Sequence, residues 1–84
     1  MEKLKRPALV CVYWVDAETG HGWESNRDVV ATVPVVITVG FLVAESDECV
    51  VVASTVSKDA LDNNARISIP VGMIQKMEEI DVQF

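Results

Sequence analysis

The residues with the most chemical potential gather between positions 11 and 23. Asp16, Glu18 and His21 follow the spacing D-x-E-x-x-H around a glycine-bearing stretch. Two carboxylates and an imidazole form a donor set that suits a divalent cation. The spacing matches no established metal signature, and acids beside glycine are ordinary turn chemistry, so no metal site is expected. His21 is the only histidine. An imidazole can serve as a general base near neutral pH, but no nucleophile motif sets a serine, threonine or cysteine beside it. The chain reads as a non-enzyme without a cofactor.

Tyr13, Trp14 and Trp23 are three of only five aromatic residues. Neighbouring strand residues point to opposite faces, so Tyr13 and Trp14 cannot both enter one core. Outward-facing tyrosine and tryptophan are common binding anchors. With Asp16 they define an expected partner-binding rim of Tyr13, Trp14, Asp16 and Trp23. Cys11 and Cys49 each sit among valines, which predicts buried, reduced thiols.

Charge narrows the possible partners. The 84 residues carry a net −6, with Lys3, Lys5 and Arg6 confined to the first few positions. From Pro7 onward only Arg27, Lys58, Arg66 and Lys76 are basic, against twelve acids. Nucleic-acid affinity comes largely from neutralising phosphates, so a body this anionic disfavours a nucleic-acid-binding barrel. Arg27, Lys58 and Arg66 are the only plausible phosphate contacts for a nucleotide-type ligand. Glu45, Asp47 and Glu48 form one acidic stretch, and Glu78, Glu79 and Asp81 another. Such runs are usually solvated surface that discourages edge pairing, although they can dock a basic partner.

The elements that must position these residues are mostly strands. Half of the residues are apolar and valine dominates, a stiff side chain suited to pleated sheet. Residues 8–15 (ALVCVYWV), 35–44 (VVITVGFLVA), 49–55 (CVVVAST), 65–71 (ARISIPV) and 76–82 (KMEEIDV) read as five strands. Ser25 followed by Asp28 resembles a capping box, predicting a short helical segment over residues 26–31 that ends before Pro34. Gly40 predicts a bend or bulge, and residues 70–74 (PVGMI) a tight turn of 3₁₀ type. Residues 1–7 read as a flexible basic arm, and residues 8–84 as a single small domain.

Five strands with a glycine-bent second strand and a proline-led turn before the last resemble an SH3-like (Sm-like) barrel, with an OB-fold as the competing order. The expected class is all-β. A second likeness rests on Tyr13-Trp14-Val15-Asp16, a glycine turn, Trp23, a proline-bearing spacer and Val39-Gly40-Phe41-Leu42-Val43. It continues through Val50-Val51-Val52-Ala53 to Ile69-Pro70-Val71-Gly72-Met73-Ile74. This pattern resembles small, mostly uncharacterised proteins of tailed bacteriophages over most of the chain. The resemblance implies action inside an infected bacterium, by binding a host protein or sequestering a host signal. No signal peptide or membrane span is expected, because residues 1–6 are charged and the longest apolar run, residues 33–44, is too short. The expected location is the host cytoplasm.

The middle strands are apolar on both faces. Val33, Val35, Ile37, Val39, Phe41 and Val43 alternate on one side of the second strand, expected to face the core, while Val36, Leu42 and Ala44 occupy the other. A half-buried sheet should alternate apolar and polar. Val36, Leu42, Val50 and Val52 are therefore the expected oligomer interface, with a second copy as the simplest partner. The leading functional expectation is an oligomeric, non-enzymatic module that engages a host protein. A nucleotide-sequestering oligomer is the alternative. A stoichiometric protein retained from bacterial lysate supports the first; a nucleotide released on heating the purified protein supports the second.

Overall fold

The structure is a computed structural model that describes residues 7–81. Pro7 is the only residue of the expected basic arm among them. The described residues form five strands, β1 (Leu9–Val15), β2 (Val35–Glu45), β3 (Cys49–Val56), β4 (Asn63–Pro70) and β5 (Ile74–Ile80). A single 3₁₀ turn, Val71–Met73, lies between β4 and β5. All pairings are antiparallel, in one sheet of order β4-β3-β2-β1-β5. The all-β expectation holds, as does the tight turn at residues 70–74. No described helix is long and apolar enough to cross a membrane.

The core lies on one face of this sheet, where β1 and β3 meet across β2. Val10 and Val12 from β1 pack with Val50 and Val52 from β3 and Ile69 from β4. Ala8, Trp14, Leu42 and Ile74 close around them, half-buried. Gly40 makes this possible. A Cβ at this position would lie 2.6 Å from the Ala53 carbonyl oxygen and 2.6 Å from Val52 Cγ1, inside van der Waals contact with backbone that cannot yield. Two residues on, the β2–β3 register shifts between Leu42 and Ala44, a bulge that adds twist. The bend expected at Gly40 is thus a close approach followed by a bulge.

Two expectations need correction. Residues 26–31 form no helix: the chain makes one turn, with the Asp28 N–H donating to the Ser25 carbonyl at 2.9 Å, and goes no further. Val29 and Val30 follow at once and Pro34 stops propagation, so too few residues remain to offset a costly nucleus. The sheet also does not close. β5 pairs with β1, and the short turn at Val71–Met73 carries the chain from one edge to the other without a β4–β5 ladder among the described residues. The β4 edge is blunted by Ala65, whose φ is 56°, and by Pro70, which has no N–H to donate. The order is a meander whose last strand returns beside the first.

Replacing Gly40 with alanine tests the close approach. Gly40→Ala is expected to destabilise the protein by about 2–3 kcal/mol in urea unfolding, the usual cost of overpacking. Gly72→Ala, where an added Cβ meets nothing within 4 Å, should stay within about 0.5 kcal/mol of the parent. Equal effects at the two glycines would contradict this packing.

Candidate functional site

Antiparallel register decides which side chains share the outer face of the sheet. Leu9, Cys11, Tyr13 and Val15 pair with Phe41, Val39, Ile37 and Val35 in turn. Paired residues project to the same side and alternate residues to the other. The outer face of the β1–β2 ribbon is therefore apolar or aromatic at every level. On β2 it is also wet: Val35, Ile37 and Val39 are 53–60% exposed, and so is Val33 just before the strand. β5 borders this face with Lys76 opposite Tyr13 and Glu78 opposite Cys11.

This placement inverts the sequence expectation for self-association. Val50 and Val52, expected at an oligomer interface, lie in the core, and Val36 and Leu42 are half-buried on the same inward side. The row expected to be core, Val33 through Val39, faces solvent. Alternation shows that two faces differ; it carries no sign to say which is inside. The sign came from β1, whose Val10 and Val12 are on the Gly40 side and reach Val50, Val52 and Ile69.

The expected rim of Tyr13, Trp14, Asp16 and Trp23 divides in a similar way. Trp14 turns inward, its Nε1–H donating to Thr38 Oγ1 at 3.0 Å. Tyr13 turns outward beneath Lys76, whose Nζ stands 4.9 Å from the ring centroid and pairs with Glu78 Oε1 at 2.9 Å. Asp16 closes the base of the long connection: its N–H donates to the Pro34 carbonyl at 3.1 Å, and its Oδ1 accepts from the Ala17 N–H at 2.9 Å. Trp23 is fully exposed within that connection, and every residue from 17 to 35 is exposed with it. Trp14 and Trp23 therefore occupy different environments, one half-buried and one in solvent. Val29 and Val30, exposed at 59% and 73%, were not singled out by sequence because they fell within the expected helical segment.

The remaining candidates stay apart. Arg27 lies in the β1–β2 connection, Lys58 in the β3–β4 loop, and Arg66 on β4 with its guanidinium donating to Asn63 Oδ1 at 2.8 Å. Lys58 lines a surface hollow with Ser57 and Asp59. There the Ser57 hydroxyl, and then the Leu61 N–H, hold Asp59 below the usual carboxylate range. Among the described residues no three of histidine, cysteine, aspartate and glutamate converge as metal ligands, Asp16, Glu18 and His21 included. Cys11 and Cys49 are free and half-buried, on strands separated by β2. Glu45, Asp47 and Glu48 are exposed at the β2–β3 turn, where Ser46 Oγ accepts from the Glu48 and Cys49 N–H groups.

Comparison with family models, with curated proteins and with solved structures returns no match for this chain.

The outer-face cluster has a measurable electrostatic signature. The Tyr13 phenol is held above its ordinary value by a hydrogen bond with Cys11, then by the negative charges of Cys11 and Glu78, with Lys76 pulling the other way. Lys76 is raised by its hydrogen bond and ion pair with Glu78. Both folded-state values lie above the unfolded ones, so each group's contribution to stability is complete below its ordinary pKa. That contribution is lost as pH rises through the folded value. Tyr13 is the only tyrosine, so phenolate absorbance reports it alone. Its midpoint should lie above the ordinary tyrosine value and fall back toward it in Cys11→Ala; a midpoint indifferent to Cys11 would contradict the cluster.

Proposed function

We propose that this chain is a non-enzymatic binding module of the tailed-phage type, which takes hold of a host bacterial protein through the connection between β1 and β2. One observation carries the reading: residues 17–35 are exposed throughout, yet this stretch holds Trp23, Val29, Val30 and Val33. Large apolar side chains gain nothing by standing in water. Connections this long without regular structure are commonly functional, and tryptophan is among the residue types enriched at the energetic centres of protein interfaces. The hydrogen bond from Asp16 to Pro34 fixes where the connection leaves the sheet, which limits the conformational freedom lost on binding.

The finer fold assignment belongs with this proposal. The order β4-β3-β2-β1-β5, with a 3₁₀ turn before the last strand, supports an SH3-like arrangement whose β4–β5 seam is left open. Action in the cytoplasm of an infected bacterium follows from the phage reading. The nucleotide-sequestering alternative gains no support, because Arg27, Lys58 and Arg66 sit on three separate elements. The anionic surface likewise weighs against a nucleic-acid partner.

Affinity capture from bacterial lysate tests the proposal through two tryptophan variants. Trp23→Ala should lower retention of a stoichiometric protein partner at least about tenfold, as for an interface anchor. Trp14→Phe, altered only on the inward side, should retain the partner. Retention unaffected by Trp23→Ala would remove the connection from the binding surface.

A further inference from the structure

The outer face of the β1–β2 ribbon is a second surface, distinct from the Trp23 connection, and its pattern is self-complementary. We propose that a second copy of this chain packs on it about a two-fold axis crossing the strands at the level of Val12, Thr38 and Met77. These three residues share one level in the register. The level on one side holds Tyr13, Ile37 and Lys76, and the level on the other holds Cys11, Val39 and Glu78. A two-fold axis between them sets each strand antiparallel to its own copy across the interface.

Three consequences of that symmetry fit the residues. Lys76 of each copy meets Glu78 of the other, twice. The two side chains already reach each other at 2.9 Å within one chain, so both lie on this face and can exchange partners across it. Ile37 meets Val39, and Tyr13 meets Cys11, joining aliphatic to aliphatic and the aromatic to the small side chain. Val15 and Val35 meet Leu9 and Phe41, so the apolar stripe is matched along its length. The bordering charges balance locally, one lysine and one glutamate, although the chain as a whole is at −6. A face with this balance tolerates its own copy where the acidic β2–β3 turn would repel it.

Area sets the strength. Six residue steps along three strands span roughly 20 Å by 14 Å. Two such faces in contact bury on the order of 600 Å² in total, below the standard size of a stable interface and in the range of weak, transient contacts. The dimer is therefore reversible, with a dissociation constant in the micromolar to millimolar range rather than an obligate assembly.

Sedimentation equilibrium of the full chain over a broad concentration range tests this. The parent should show a monomer–dimer equilibrium. Ile37→Glu, at a solvent-facing position that leaves the core intact, should raise the dissociation constant at least about tenfold by burying an unpaired charge. Lys76→Glu and Glu78→Lys should each weaken the dimer, and the double swap should restore it, a recovery that a merely destabilised fold would not show. Trp23→Ala should leave the equilibrium unchanged, which separates this surface from the partner-binding connection. A parent that stays monomeric at millimolar concentration overturns the proposal. So does a dimer insensitive to Ile37→Glu, a dimer lost in Trp23→Ala, or a double swap without recovery.

Discussion

Gly40 sits where the backbone of β2 passes so close to β3 that only a hydrogen atom fits: a methyl group there would be 2.6 Å from the Ala53 carbonyl oxygen. The rest of the architecture depends on this contact. With β2 free to coil, Val10 and Val12 on one neighbour and Val50 and Val52 on the other tilt toward each other over a strand that carries no side chain between them. Ile69 fills the remaining gap from β4 and is fully buried. A sheet that curls this far gains a core from a single layer, which a chain of this size needs. Among the described residues the opposite face has no second layer to cover it.

Much of the fold was legible in the residues. β1 and β2 begin and end within a residue or two of their apolar runs, because valine and the aromatics favour pleated geometry and Asp16, Pro34 and Glu45 interrupt it. The turn at Val71–Met73 was visible in Pro70 and Gly72. β4 starts earlier than its alternation suggested, at Asn63, because Asn64 supports the positive-φ Ala65 by accepting its N–H at 2.8 Å. The helix expected after Ser25 failed where local capping had to compete with β-branched residues and a proline.

The candidate site was less legible, for a reason specific to sheets. A period of two separates the residues of β2 into two sets without saying which is buried, and both sets here are apolar. Resolving them takes a long-range fact, that β1 and β3 converge on the Gly40 side, which no local window contains. Once that sign is set, the surplus of apolar residues stays where composition placed it, but moves from Val50 and Val52 to Val33, Val35, Ile37 and Val39. The aromatic pair behaves alike: opposite faces for Tyr13 and Trp14 were predictable, and the choice of Trp14 for the inside follows from its hydrogen bond to Thr38. The two proposals accordingly rest on two surfaces, an exposed connection carrying Trp23 and the outer face of the β1–β2 ribbon.

The central claim is the sign of β2, inward at Val36 and Leu42 and outward at Val35, Ile37 and Val39. Single cysteines placed at these five positions in a Cys11→Ala, Cys49→Ala background report it through the rate of thiol alkylation in dilute, monomeric protein. The account predicts fast labelling at Val35→Cys, Ile37→Cys and Val39→Cys and protection at Val36→Cys and Leu42→Cys. The reverse parity, or uniform labelling along the strand, would contradict it.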